Sequence, residues 1–427
     1  MMTIASIFLA AFTMVATMAG PTPAEEKIIA AENAIAKTPE SYQAYNQLAL
    51  AHTRRARETG DATHYVRALE ALETSFQLAP DNYSGERIRT WVLLGQHEFS
   101  EALQLAEALN RKAPDDILVY AFLTDAHVEL GDYEKAEQAA QWMLDLRPGN
   151  VAGMTRGAYL REIFGDVEGA IEWMWAAHEQ TPFHEIEDRA WLLTQLAHLE
   201  LSRGELDRAE AGASAALDLF PDYHYALAEL AKVRLAQNRA EDAASLLRKR
   251  YDVAPHPENL FELATALSRA GREGEARELF ASFEKQARAE VGSWDNANRE
   301  LVFYYTDVSK EPAKAVAVAQ REIKRRHDVF TLDAYAWALY SSGNHDVAWE
   351  QMQLALEPGI RDARLLYHAG RIATARGDDT EAERLLRLSL ASNPHAVVAH
   401  DVHEALNGLA ERYSYLNAVT GSTRVAR

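Results

Sequence analysis

A structural unit recurs about every 34 residues over most of this chain. Residues 130–148, LGDYEKAEQAAQWMLDLRP, read as a tight turn, a helix and a stop. The alanine of this unit has equivalents that each fall near the start of a helix: Ala68, Ala102, Ala136, Ala170, Ala209, Ala243, Ala276, Ala315, Ala348 and Ala382. Their successive spacings are 34, 34, 34, 39, 34, 33, 39, 33 and 34. One such unit cannot bury its own apolar face, so the units must stack in a linear array.

Further features repeat in phase with these alanines, and each has a mechanical reason. A glycine can adopt the left-handed conformation that ends the preceding helix, and the Asp or Asn after it can cap the next one. These glycines are Gly60, Gly131, Gly165, Gly204, Gly343 and Gly377. A proline at the end of the unit cannot continue a helix. These prolines are Pro80, Pro114, Pro148, Pro182, Pro221, Pro255 and Pro394.

The period and its turn, alanine and proline positions resemble the tetratricopeptide repeat, here an exported, bacterial-type member. The resemblance implies an all-α, right-handed α-solenoid of about ten helix-turn-helix repeats with a concave groove. We predict the solenoid over residues 25–395, a capping helix over 396–413 and a loose tail over 414–427. The solenoid's ends need such caps because a terminal repeat has no neighbour.

Departures from the period predict local differences in shape. The first repeat has twelve residues from Leu48 to Gly60, whereas the third has eight from Leu123 to Gly131, so its first helix should be one turn longer. The segment TPFHEIEDRA adds five residues between the fourth and fifth repeats, and FEKQARAEVGSWDNANRE adds about six between the seventh and eighth. We predict bends or hinges at these two insertions.

The N-terminal segment differs from the rest of the chain. Residues 1–24 carry no charged side chain, and an apolar run from Ile4 to Ala19 precedes small residues and prolines. This pattern is typical of a secretory signal peptide, although no Lys or Arg precedes the run. An uncleaved N-terminal anchor is the alternative, as is a mis-assigned start or a buried helix. We predict export to the periplasm or cell envelope, with possible membrane association through this segment.

Charge and cysteine content exclude several classes of function. The formal net charge is −20, which would repel phosphate backbones, so we expect no nucleic-acid partner. The chain has no cysteine, which excludes disulfides, thiolate catalysis and Cys-ligated metals. The fold must therefore be held by packing alone.

Histidine is the remaining candidate for catalysis or metal binding. His400 and His403 are three residues apart near the C-terminus, and Glu404 follows them. A zinc-peptidase helix requires the Glu between its two histidines, so this arrangement favours a solvated capping helix. The sequence contains no nucleophile motif, phosphate-binding loop or nucleotide fingerprint. We predict no catalytic residue, cofactor or metal; a His/Glu-dependent metalloenzyme is the least favoured alternative.

The resemblance also implies which residues line the groove. Each first helix of this family carries an apolar residue followed by a small one, here for example Leu196-Ala197 and Leu230-Ala231, and the residue after the small one points into the groove. By that carry-over the predicted partner-binding residues are Trp91, Tyr159, His198, Lys232, Tyr304, Trp337 and Arg371, with Tyr340 and Tyr367 one helical turn from the last two. Aromatic rings beside one cation are typical of a binding hot spot. The alternative is that these rings pack between helices.

These observations predict a non-catalytic scaffold whose groove binds a peptide or partner protein. The alternative is a structural accessory subunit of a membrane-associated assembly, joined through its convex face or its ends.

Overall fold

The computed structural model describes residues 20–424, with side chains described to residue 412. Within this range every regular element is helical, and the helices alternate between two roles. The helix α1 is Pro23–Lys37 and the last helix, α22, is Ala399–Arg424. The first helices of the repeats are α2 Tyr42–Thr59, α4 Tyr83–Gly95, α6 Ile117–Glu129, α8 Val151–Ile163, α10 Ile186–Ser202, α12 His224–Ala236, α14 Pro257–Arg269, α16 Asn298–Phe303, α18 Val329–Ser341 and α20 Ala363–Ala375. The second helices are α3 Thr63–Leu78, α5 Phe99–Lys112, α7 Tyr133–Leu146, α9 Val167–Gln180, α11 Leu206–Leu219, α13 Ala240–Val253, α15 Glu273–Glu290, α17 Pro312–Glu322, α19 His345–Leu356 and α21 Asp379–Ser392. The helix α16 continues into a π-helical turn, Tyr304–Val308.

The residues that define the repeat occupy the positions expected of them. All ten alanines are 1% exposed or less, because each lies where the two helices of a pair approach closely. Each second helix that precedes a repeat-closing proline ends two residues before it, as α7 does before Pro148. The chain is therefore an all-α solenoid of paired helices, as the period predicts.

The tight turn between the helices of a pair uses the left-handed backbone region. Gly131 has φ +77° and Gly165 has φ +80°. Where the sequence lacks glycine at this position, His97, Asn238 and Lys310 adopt the same region with φ between +56° and +58°. The turn is thus set by the repeat geometry, and glycine lowers its cost without being required.

The first helices lie on the inside of the curve. Each packs against the second helix that follows it, and most successive first helices also pack on one another, as α2 does on α4 and α10 on α12. Helices that contact the next helix of their own kind occupy the shorter inner radius of a curved stack. The concave surface is consequently built from α2, α4 and the later first helices.

The solenoid coils far enough that segments one superhelical turn apart touch; we call these the inter-coil contacts. The Val329 amide donates to Tyr133 Oη at 3.0 Å, and Asn393 Nδ2 donates to the Leu201 carbonyl at 2.7 Å. These partners are 196 and 192 residues apart, about five to six repeats of roughly 34 residues. Successive coils are therefore in direct contact at these two positions.

Both insertions, and the longer first helix of the first repeat, take part in the inter-coil contacts. The helix α2 has 18 residues against 13 in α6, as the sequence predicts. Its added turn carries Arg57, which pairs with Glu187 and Asp188 in the segment that contains the first insertion. Trp294, in the second insertion, meets Tyr65 with ring centroids 6.2 Å apart. The inserted residues therefore brace one coil against the next.

The start of the described chain is hydrogen-bonded to the first repeat. Thr22 caps α1, and the Ala24 amide donates to Glu58 Oε1 at 2.9 Å, so the described N-terminal residues belong to the fold. The predicted leader or anchor falls mainly on residues 1–19, outside the described residues. Between residues 20 and 424, no helix combines the length and hydropathy needed to cross a membrane. The division into solenoid, cap and tail stays a prediction.

Candidate partner-binding surface on the concave face

Four charged residues from three consecutive first helices form a connected row, which we call the polar strip. His198 on α10 contacts Glu162 of α8 through Nε2 at 2.7 Å, and Glu229 of α12 through Nδ1 at 3.8 Å. Lys232 donates to Glu229 at 2.6 Å. The side chains of His198 and Lys232 remain 37% and 46% exposed. The strip is therefore ordered by its own ion pairs and still accessible.

The protonation states of the strip follow from these contacts. Burial alone would lower the pKa of His198, but Glu162 and Glu229 outweigh it and raise that pKa to about 10. Burial would raise the pKa of Glu229, yet Lys232 and His198 lower it to about 2. The pKa of Lys232 is raised, because Glu229 outweighs its desolvation. At neutral pH the strip thus alternates negative and positive charges along the curve.

Neighbouring first helices extend this charged surface. Arg156 of α8 makes a two-pronged contact with Asp125 of α6, at 3.0 Å from Nε and 2.6 Å from Nη2. Tyr159 lies half-buried between them and the strip, where burial and then Glu129 raise its pKa, so its hydroxyl stays neutral. Such planar Arg–carboxylate pairs hold their geometry well. The concave face therefore carries fixed charges from α6 to α12.

A second group, the aromatic cluster, lies further along the solenoid. Trp337 of α18 is 8% exposed and stacks between Tyr340, at 4.7 Å, and His368, at 4.0 Å between ring centroids. Its Nε1 donates to Asp307 Oδ1 at 2.8 Å. Asp307 belongs to the π-helical turn, and π-helical turns occur often at functional sites. His368 is in turn paired with buried Asp333 at 2.8 Å.

Arg371 brings a cation to the edge of this cluster. Its Nη1 donates to Tyr367 Oη at 2.9 Å, Nη2 lies 3.4 Å from Tyr340 Oη, and its guanidinium lies 5.7 Å from the Tyr367 ring centroid. Arg371 and Tyr340 are partly exposed, whereas Tyr367 is buried. The accessible part of the cluster is therefore the Arg371–Tyr340 pair, with Trp337 behind it.

Seven of the nine predicted residues thus fall into two groups, and the other two, Tyr304 and Trp91, lie apart from both groups. His198 and Lys232 share the polar strip beside Tyr159, and Trp337, Tyr340, Tyr367 and Arg371 share the aromatic cluster. Tyr304 packs instead on the rings of Phe280 and Phe283, at 5.8 and 5.7 Å between centroids. Trp91 is half-buried in an apolar group with Tyr83 and Leu94. Whether any of them contacts a partner stays a prediction.

Sequence reasoning missed several partners of these residues. Glu162, Glu229, Asp307 and His368 hold the predicted side chains in place, but none lies at the position that the repeat assigns to the groove. A signal existed for Glu229, since a Glu three residues before Lys232 in an otherwise apolar helix predicts an ion pair on one helix face. Asp307 had no such signal, because the π-helical turn that presents it has no sequence signature.

The histidines near the C-terminus show no metal-binding geometry. His400 Nε2 lies 3.4 Å from Glu404 in a solvent-exposed pair. Among the described residues, no group of three or more His, Asp or Glu side chains is arranged to hold a metal ion.

Comparisons with known proteins give one family match and several similar solved structures. A model of the tetratricopeptide repeat matches residues 123–185 and 194–256. The human IFIT1 dimer with PPP-AAAA is similar over 87% of this chain and 96% of that chain, at 14% identity and a TM-score of 0.50. Yeast Tom70 covers 94% of this chain and 95% of its own, at 14% identity and a TM-score of 0.38. PilW, titled a widely conserved type IV pilus biogenesis factor, is similar over 48% of this chain and 92% of its own, at 15% identity and a TM-score of 0.41. No curated protein matches the chain.

Paired helices, a period of about 34 residues and a concave face of first helices define a helical repeat solenoid. Residues 123–185 and 194–256 match the tetratricopeptide repeat, and the chain has the fold of a helical repeat protein of this type. Proteins of this type generally bind other proteins, and they do so on extended concave surfaces.

Proposed function

We propose that this chain is a non-catalytic scaffold that binds a peptide or a segment of a partner protein on its concave face, in the cell envelope. The observation that carries the proposal is the polar strip: the accessible cations His198 of α10 and Lys232 of α12 are held in place by the carboxylates of Glu162 and Glu229. A partner would meet charges that are already oriented, so little side-chain entropy would be lost on binding.

The charges of the surface indicate the kind of partner. The polar strip alternates Glu162, His198, Glu229 and Lys232, so it complements a chain of mixed charge better than a polyanion or a polycation. The Arg371–Tyr340 pair adds a cation and an aromatic edge, the residue types enriched in hot spots. A polypeptide supplies both carboxylates and apolar side chains, which makes it the best-matched ligand.

Location in the envelope rests on residues 1–24 and on their pattern alone. Removal of residues 1–19 would keep the Thr22 cap and the Ala24–Glu58 hydrogen bond, whereas removal of residues 1–24 would delete both. We therefore expect a processed N-terminus between residues 20 and 22. N-terminal sequencing of the protein from the envelope measures this directly, and an intact Met1 in a cytosolic protein would contradict export.

Partner capture tests the proposal. The full chain with a C-terminal tag is purified from its native envelope, and co-purifying proteins are quantified by mass spectrometry. We expect Lys232→Gln with Arg371→Gln to reduce recovery of a specific partner by roughly tenfold or more, the scale of hot-spot loss. The matched control is Lys135→Gln with Arg387→Gln, which removes two cations from second helices, at side chains 62% and 68% exposed. Equal recovery with both double variants would contradict groove binding.

A structural subunit is the second candidate, and exposed tryptophans favour it. Trp142 of α7 and Trp175 of α9 are 55% and 46% exposed on successive second helices, which lie on the convex side. Large exposed aromatic rings mark interaction surfaces. If Trp142→Ser with Trp175→Ser abolishes partner recovery while the groove variants retain it, the convex face is the binding surface.

A further inference from the structure

A cationic cleft lies between one coil and the next, away from the concave surface. It has a volume of about 590 Å³, within the usual range for small-molecule sites. The walls come from the end of α17, the bend after it, the loop after α15 and one residue of the preceding coil. The lining residues are Glu98, Val291, Gly292, Ala317, Gln320, Arg321, Lys324 and Arg325.

Three cations face this cleft against one carboxylate, in a chain whose net charge is −20. Arg321 and Lys324 are exposed, and no carboxylate of residues 20–412 lies within ion-pair distance of either. A Cβ added to Gly292 would lie 3.5 Å from Arg321 Nη1, so this guanidinium reaches across to the opposite wall. The cations therefore converge on one space.

Arg325, the third cation of the cleft, is anchored on the loop after α15. Its Nη1 donates to the Ser293 carbonyl at 2.8 Å, which fixes the guanidinium plane. Its Nη2 is buried and has no hydrogen-bond partner among the described residues; Glu98, the nearest carboxylate, is 3.8 Å away. This nitrogen has almost no accessible surface and lies within ion-pair distance of Glu98, so Arg325 adds positive charge behind the wall of the cleft. An anion in the cleft would contact the exposed Arg321 and Lys324 side chains.

We propose that the cleft binds the phosphate group of a small molecule. One guanidinium group can donate two parallel hydrogen bonds to two phosphate oxygens, and a lysine ammonium adds a compact positive charge. Three cations match a group that carries two or more negative charges, and the Gln320 amide adds a neutral donor. This inference is independent of the groove, because no residue of the polar strip or the aromatic cluster lines the cleft.

A simpler structural account exists for part of the cluster. The helix α17 ends at Glu322, and cations near a helix C-terminus are stabilised by its dipole. That account covers Arg321, but it does not require Arg321, Lys324 and Arg325 to line one cleft. The two explanations differ in a measurable way, because the dipole account needs no ligand.

Calorimetric titration of the full chain with inorganic pyrophosphate tests the proposal. We expect saturable binding that Arg321→Gln with Lys324→Gln weakens by at least tenfold. The control, Lys37→Gln with Arg111→Gln, removes the same charge from exposed sites elsewhere and should leave affinity within about twofold. Arg325→Gln should also weaken binding, and hydrogen exchange on that variant shows whether the inter-coil contacts persist.

A parallel arm separates the possible sources of the phosphate group. Flotation with phosphatidylcholine vesicles, with and without phosphatidic acid, reports a lipid headgroup, whereas the pyrophosphate titration reports a soluble ligand. We expect pyrophosphate to bind and the vesicles not to. Absence of pyrophosphate binding, an equal loss in both double variants, or binding to phosphatidic acid vesicles alone would each overturn the soluble-phosphate proposal.

Discussion

Gly165→Ala should destabilise the solenoid more than the same substitution at a turn that faces solvent. Gly165 has φ +80°, and a Cβ there would lie 2.4 Å from the Gly359 carbonyl oxygen one coil later. Gly343 has φ +84°, and nothing lies within 4 Å of its added Cβ. Both variants incur the left-handed cost of roughly 1–2 kcal/mol, partly offset by about 0.4–1 kcal/mol of lost freedom in the unfolded chain.

Only Gly165→Ala also forces a methyl group into the inter-coil contact. Overpacking of this kind costs about 1–3 kcal/mol, so Gly165→Ala should exceed Gly343→Ala by that amount. Denaturant unfolding of both variants gives the difference, and hydrogen exchange should show added opening at residues 357–362 in Gly165→Ala alone. Equal losses in the two variants, with no change at 357–362, would refute the inter-coil contact at this position.

Three further predictions follow from the burial and charges of the candidate surface. Trp337→Ala should cost about 3–5 kcal/mol of stability because the ring is packed, whereas Arg371→Ala should leave the thermal midpoint nearly unchanged; the reverse order would show an accessible tryptophan. The raised pKa of His198, about 10, means that its ion pair with Glu162 stabilises the fold fully below about pH 6.5 and progressively less up to pH 10. His198→Gln should therefore flatten the stability profile over that interval. Burial lowers the pKa of His224 to about 4, so stability should fall from about pH 6.5 to pH 4, and His224→Gln should reduce that fall.

The local features of the repeat were predictable because each depends on neighbours in sequence. An alanine at the crossing of two helices, such as Ala136, must be small whatever the rest of the chain does. The proline stops acted where expected, since a missing amide ends a helix without reference to tertiary structure. The caps were less regular: Asp166 accepts from the Gly169 amide, whereas Asp132 pairs with Lys135 instead.

The inter-coil contacts could not be predicted, because they depend on a small rotation per repeat summed over several repeats. A hydrogen bond such as Val329–Tyr133 has no signature in either segment taken alone. Extra residues between repeats usually loosen a stack, so the sequence of the two insertions predicts bends. The contact between Arg57 and Glu187, which braces one coil against the next, depends on the folded coil and has no signature in either segment.

The candidate surface was predictable in its location and less so in its exposure. The carry-over by repeat position correctly predicts that the side chains of His198 and Lys232 are partly exposed. It could not separate Trp337 from the core, because the ring's burial depends on His368 and on the π-helical turn that presents Asp307. From sequence, groove and core are both open alternatives for this ring. The stacked, hydrogen-bonded tryptophan favours the packing alternative for Trp337, and the partner role of the cluster stays a prediction carried by Arg371 and Tyr340.

Successive coils of the solenoid touch one another, and a cysteine pair tests this contact most directly. The natural chain has no cysteine, so Gly60→Cys with Ala254→Cys introduces the only two thiols. A Cβ at Gly60 would lie 3.2 Å from Ala254 Cβ, close to the roughly 3.5–4.5 Å of a disulfide. Gly343→Cys with Ala254→Cys is the control, since nothing lies within 4 Å of an added Cβ at Gly343. Oxidation of the folded protein should cross-link the first pair rapidly and within one molecule, as a non-reducing gel reports, and leave the control pair free. Failure of the first pair to cross-link, or equal cross-linking of both pairs, would contradict a closed coil.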